Sequence, residues 1–381
     1  MRVYFDNAAT TPLDPEVLEL MTEKLRDLYG NPSSIHQLGR SSRSEIEKAR
    51  KITAEALNAS TGEIFFTSGG TESNNMAIKC AVRDLGIKTI ITSPIEHHCV
   101  LHTADCLENH NEVGIKMVQV DEYGHVQLDH LEKLLKESGD KTLVSLMHAN
   151  NEIGTITDIE KVGEMCRAHG ALFHSDTIQT VGHFPIDVSK IKIDFLSGSA
   201  HKFHGPKGVG FLYINSDNKI DPFLDGGGQE RNMRGGTENL HGIIGLGKAL
   251  DLAVQQMEER KNAITAVRNH MKTRLMEVIP EVEFKGDQNE PYLYTVLSVS
   301  FPPGPKTEML PLALDIEGIC ASGGSACSSG SEKGSHVMDK IGEKPGRKTI
   351  RFSFSHFNTK EEVNFAVDKI AGMFVEKGVG V

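Results

Sequence analysis

The chain has 381 residues, 38% hydrophobic and 24% charged, which is the make-up of an ordinary globular protein long enough for two hydrophobic cores. With 52 acidic against 41 basic side chains the net charge is -11, which repels phosphate over most of the surface and argues against direct nucleic-acid binding. No run approaches the roughly 18 apolar residues of a membrane span, and the opening MRVYFDNAATTP is too polar for a secretory signal, so a cytoplasmic protein without a membrane partner is expected.

Along the chain, β-rich runs at 64–67, 89–93, 115–120, 143–148, 171–175, 195–197 and 209–214 read as strands. Helical patterns at 44–57, 73–85, 128–137 and 159–168 lie between them, bounded by Gly, Asn or Ser. The alternation predicts an α/β fold with a mainly parallel seven-stranded sheet, helices on both faces, and ligand chemistry at the carboxyl ends of the strands. A long polar helix is expected over about 238–276. Strands at 282–284, 295–301 and 349–354 follow, and a last helix opens with a Thr359/Glu362 capping box. These later elements suggest a smaller α+β domain. The expected division is a large domain over 16–255 and a small one built from 1–15 and 256–381, with a mobile loop near 322–334.

Six cysteines, at 80, 99, 106, 166, 320 and 327, are too sparse for a disulfide framework, so reduced thiols are expected. Lys202 closes the small, polar segment SGSAHK, 26 residues after Asp176 in FHSDTIQ. A lysine and a carboxylate that each follow a strand are the pair a pyridoxal phosphate enzyme requires. The amine condenses with the aldehyde, and the carboxylate keeps the pyridine nitrogen protonated so that the ring accepts electrons.

Glycine-rich segments differ in what they support. TSGGTESNN (67–75) follows a strand and opens a helix, so its backbone N–H groups and the Thr71 hydroxyl suit an anion at the positive helix end. The same pattern also suits a plain helix cap with permissive glycines. GGGQERNMRGGTEN (226–239) reads as a flexible loop, and GPKGVG (205–210) lacks P-loop spacing. In EHHCVLHTADC (96–106), His98 and His102 share a helical face, but neither HxxxH nor the cysteine spacing makes a zinc motif, and no metal is assigned.

DNAATTP (6–12), YGNPSSIH (29–36), TSGGTESNN, SPIEHH (93–98), ANNEIG (149–154), HSDTIQTVG (174–182), SGSAHKFHGPKGVG (197–210), RGGTEN (234–239) and SGGSACSSGS (322–331) together resemble the cysteine desulfurases of the NifS/IscS group. The resemblance runs from residue 3 to about residue 370. It implies a fold-type-I pyridoxal phosphate homodimer, class-V aminotransferase-like, that converts L-cysteine to L-alanine while the sulfur leaves as an enzyme-bound persulfide.

Carried across residue by residue, the resemblance makes Lys202 the cofactor-bearing lysine and Asp176 the partner of the pyridine nitrogen. Gln179 faces the phenolic oxygen, Asn151 sits beside it near the substrate carboxylate, and His97 stacks on the ring, where it can relay the substrate thiol proton. Gly70, Thr71, Ser199 and His201 hold the phosphate, with Thr237 reaching it from the other subunit. Arg351 in TIRFSFS binds the substrate carboxylate, to which a guanidinium fork is suited, although the same residue also reads as a strand-edge surface arginine.

The substrate sulfur must pass to a thiolate on a mobile segment. Cys327, embedded in SGGSACSSGS, is the cysteine flanked on both sides by small residues, and it matches the family nucleophile. Cys320, in GICAS, reads as core. Two departures from the family pattern stand out: SEKGSHVM (331–338) where relatives have an apolar residue and a proline, and an end at Val381 where housekeeping relatives continue into a scaffold-docking tail. The sulfur acceptor, an iron-sulfur scaffold or a thiolation enzyme, is not identified by the sequence. Two other classes compete. A pyridoxal phosphate lyase or aminotransferase for another amino acid such as selenocysteine needs no Cys327, and a metal- or thiol-binding protein built on 97–106 needs no Lys202.

Overall fold

The computed structural model describes residues 1–139, 141–304, 306–324 and 334–374. Among them lie strands β1 (Val3–Tyr4), β2 (Ile64–Thr67), β3 (Thr89–Thr92), β4 (Gly114–Met117), β5 (Thr142–Ser145), β6 (Leu172–Asp176), β7 (Phe195–Ser199), β8 (Gly210–Ile214), β9 (Glu283–Lys285), β10 (Val296–Phe301), β11 (Ile319–Cys320) and β12 (Lys348–Ser353).

Strands β2 to β8 form the seven-stranded sheet in the order β2-β8-β7-β6-β5-β3-β4, and β8 alone runs against its neighbours. Every residue of β2, β5, β7 and β8 is buried, so both faces need covering. Side chains alternate between the faces with period two. Ile64, Phe66, Leu196 and Phe211 enter one core with the helices Gln37–Leu57 and Leu240–Gln255, while Phe65, Phe195 and Leu212 enter another with Gly70–Leu85 and His98–Asn109. This is the expected α/β architecture of pyridoxal phosphate fold type I.

The single long helix expected over 238–276 is two helices, Leu240–Gln255 and Met257–Val278, broken at Gln256. The first is not polar. Leu240, Ile243, Ile244, Leu246, Leu250 and Leu252 are buried, and Gly247 lets the helix close on its neighbour, since a Cβ there would lie 2.9 Å from the Ala49 Cβ. Met257–Val278 turns away and packs with Lys360–Phe374 against an antiparallel sheet of order β12-β10-β9. Val3 and Phe5 join that second core, because β1 pairs with β11 in parallel. The last helix does open with the reciprocal Thr359/Glu362 bonds, at 3.0 and 3.2 Å. No helix among the described residues is long and apolar enough to cross a membrane.

Strand β8 lies so close to the turn before Gly70 that residue 210 has no room for a side chain. A Cβ there would meet the Gly198 carbonyl oxygen at 2.5 Å and the Gly69 Cα at 2.8 Å, both backbone atoms that cannot swing aside as a side chain can. Gly210→Ala is expected to cost about 1–3 kcal/mol, the usual range for overpacking. The midpoint of urea denaturation measures it, and an unchanged midpoint would contradict the close approach.

Candidate functional site

One pocket at the carboxyl ends of the strands is lined by Gly70, Thr71, His97, Asn151, Asp176, Gln179, Ser199, His201, Lys202 and Arg351, together with Ala8, Ala9, Cys99, Met147 and Ile178. Thr237 is not in it. That residue is exposed in a separate hollow with Ser68, Gly208 and Arg234. Cys327 lies outside the described residues.

Asp176 is the last residue of β6, and Lys202 closes the single 3-10 turn Ala200–Lys202 that follows β7. The Lys202 Nζ donates to the carbonyl oxygens of Ala8 at 2.6 Å and Ala9 at 2.9 Å. Gln179 Nε2 donates to the same Ala8 oxygen at 3.1 Å, and His201 Nδ1 lies 3.2 Å from Thr10 Oγ1. The DNAATTP segment is therefore one wall of the pocket. Burial, followed by the positive charges of Lys202 and Lys207, pulls His201 down to about 4, so its imidazole is neutral near pH 7.

The helix Gly70–Leu85 begins against this pocket, and its N-cap Gly69 makes no side-chain bond to the first turn. A Cβ at 70 would meet the end of the Ile178 side chain. Uncapped N–H groups at the positive end of a sixteen-residue helix, beside the Thr71 and Ser199 hydroxyls and the His201 ring, make a donor set for a phosphate dianion. Across the pocket the buried Asp176 carboxylate accepts from Asn74 Nδ2 at 2.7 Å and from the Ile178 N–H at 3.0 Å. An acceptor-only group suits a protonated ring nitrogen, and the Lys202 amine suits an aldehyde. The residues present fit pyridoxal phosphate.

His97 caps the helix His98–Asn109, its Nδ1 accepting from the Cys99 N–H at 3.2 Å. Arg351 is not a surface arginine: it sits in β12 at 2% exposure. Its Nη2 bonds Asp6 Oδ1 at 3.0 Å and its Nη1 donates to the Asn151 carbonyl at 3.0 Å. The buried Nε makes no hydrogen bond among the described residues. Asp6 Oδ1 also accepts from Ser322 Oγ at 2.8 Å, so the start of the SGGSACSSGS segment is tied to the arginine. His98 stacks on His102 at 5.1 Å, yet among the described residues no group of three His, Cys, Asp or Glu is placed to hold a metal ion.

Sequence reasoning missed Ala8, Ala9, Asp6, Asn74 and Cys99. The first two act through backbone carbonyls, which leave no side-chain signal, although DNAATTP stood out as a motif. Asn74 was quoted in TESNN without a role.

The family described as aminotransferase class-V matches residues 3–365. A curated cysteine desulfurase, IscS, from Dictyoglomus turgidum is 45% identical over 373 residues, 96% of this chain and 93% of that protein. A solved NifS-like protein superposes with a TM-score of 0.89 at 40% identity, covering 98% of this chain and 99% of the other. A structure titled SspA in complex with cysteine superposes with a TM-score of 0.80 at 33% identity, covering 94% and 100%. The chain belongs to the class-V aminotransferase family, in its NifS/IscS group of pyridoxal phosphate-dependent cysteine desulfurases.

Proposed function

We infer that this protein is a cysteine desulfurase that takes L-cysteine to L-alanine and passes the sulfur to a protein thiolate as a persulfide. The observation that carries the reading is a single pocket holding a lysine amine, a buried carboxylate, an uncapped helix N-terminus and a buried arginine. Pyridoxal phosphate supplies an electron-accepting ring conjugated to the substrate amine.

In this reading Lys202 tethers the cofactor and, as an amine, takes the substrate Cα proton. Asp176 pairs with the ring nitrogen, Gln179 with the phenolic oxygen, and His97 covers the ring face and moves the substrate thiol proton. Gly70, Thr71, Ser199 and His201 hold the phosphate, and Thr237 reaches the phosphate of a second copy in a homodimer. Arg351 receives the substrate carboxylate with Asn151 beside it. The Cys327 thiolate attacks the substrate sulfur: an S–S bond forms, the C–S bond breaks, and its electron pair stays with the carbon skeleton that becomes alanine.

The chain divides in this account into 16–255 and 1–15 with 256–381. Support comes from the separate core whose buried members are Val3, Phe5 and residues from Ile264 onward. A cytoplasmic setting, where thiols stay reduced, and an iron-sulfur scaffold or thiolation enzyme as acceptor complete it.

Borohydride reduction of the holoenzyme followed by peptide mapping should find the pyridoxyl group on Lys202, and label on another lysine would sink the assignment. Cys327→Ala should keep the cofactor and bind cysteine while persulfide transfer drops on the order of a hundredfold or more, the scale of a lost nucleophile. Desulfuration at near wild-type rate would leave a general lyase in its place. Because Thr237 is assigned in trans, monomeric protein should lose cofactor affinity, and sedimentation of an active holo-monomer would refute the dimer site.

A further inference from the structure

Beneath the pocket a chain of side chains runs from the sheet to His97. Ser145 Oγ lies 2.8 Å from His174 Nδ1, and His174 Nε2 lies 3.1 Å from Asn74 Oδ1. The Asn74 amide nitrogen lies 2.7 Å from Asp176 Oδ2 and 3.2 Å from Cys99 Sγ, and that sulfur is 3.0 Å from His97 Nδ1. Ser145, His174 and Asn74 are fully buried.

The polarity of each link follows from chemistry. A carboxylate only accepts, so Asn74 turns its NH2 toward Asp176 and its oxygen toward His174. His174 then carries its hydrogen on Nε2. Burial pulls its pKa down to about 3, so the ring is neutral and its Nδ1 accepts from Ser145. At the other end the Cys99 backbone N–H can only donate, which makes His97 Nδ1 an acceptor. The Cys99 thiol therefore accepts from Asn74, and its S–H shares the His97 Nδ1 lone pair with the Cys99 backbone N–H. Both N–H groups and the oxygen of one amide are engaged.

We propose that Asn74 is a positioning residue that, with the two hydrogens of one amide, sets both the carboxylate assigned to the cofactor nitrogen and, through Cys99, the imidazole assigned to the cofactor face. Asn74 reaches neither substrate nor cofactor itself. Its oxygen is fixed by His174, which leaves the NH2 one orientation, and that orientation serves the two groups together. The inference rests on the roles given above to Asp176 and His97.

The test uses the full-length protein, stripped of cofactor and reconstituted with pyridoxal phosphate. Asn74→Ala and Asn74→Leu remove the donors, and the dissociation constant for pyridoxal phosphate should rise roughly tenfold or more, as for a lost hydrogen bond to a buried charge. Cys99→Ala should lower kcat severalfold with KM and cofactor affinity within about twofold, because only the His97 arm is cut. Cys99→Ser, whose hydroxyl both accepts and donates, should restore kcat. Asn74 variants that fold by circular dichroism and bind pyridoxal phosphate like wild type would overturn the proposal. So would Cys99→Ser as impaired as Cys99→Ala, and this arm decides if the Asn74 variants do not fold. A wild-type protein that takes up no pyridoxal phosphate would instead overturn the functional reading on which the inference stands.

Discussion

The ammonium of Lys202 resting on the carbonyls of Ala8 and Ala9 is the contact through which the two cores share one site. Lys202 is fixed by the end of β7, in the large sheet. Residues 8 and 9 are fixed from the other side, because Asn7 Nδ2 donates to the Ser353 carbonyl at 2.8 Å and the Ala8 N–H donates to Ser353 Oγ at 2.8 Å. The same Ala8 oxygen receives Gln179. If those two carbonyls moved, a lysine, a glutamine and the histidine that meets Thr10 would all lose their reference point.

Electrostatics divide the pocket into compartments. The protein is strongly acidic, yet the pocket gathers an ammonium, a guanidinium and a helix N-terminus, all suited to anions. Asp176 is the counterweight on one wall and Asp6 the counterweight behind Arg351. Asp6 neutralises part of the guanidinium, so the arginine tolerates burial. The histidines next to Lys202 add no charge: burial keeps His201 neutral. His183, which meets the Lys202 carbonyl oxygen at 3.2 Å, is pulled down to about 4 by burial, so it adds no charge to the lysine.

Much of this arrangement was legible in the sequence, for identifiable reasons. Buried strands announce themselves as short β-branched and aromatic runs, and β2 lies where the run at 64–67 placed it. Asp176, Lys202, His97 and Arg351 stood out because their side chains suit a defined chemistry, and the fold brings them to one pocket. The Gln256 break was hidden because a sharp turn between two helices needs no proline or glycine. The polar aspect of the region misled as well, since its first half is mostly apolar and most of the charges lie in the second. Asn74 was invisible for another reason: an asparagine becomes a hub only when a strand 100 residues further along supplies His174, and nothing local encodes that meeting.

The dependence of the pocket on residues 6–9 has a consequence for how the protein is made. Asp6 and Arg351 are 345 positions apart. At ordinary elongation rates the first emerges from the ribosome roughly 20–70 s before the second, so residues 6–9 wait that long for the strand that seats them. The large sheet can form meanwhile, since its strands end at Ile214. Its half of the pocket stays open, with Lys202 lacking its carbonyls. The last wall arrives only when β12 does, so a chain cut short before Lys348 would carry Lys202 and Asp176 without a finished site.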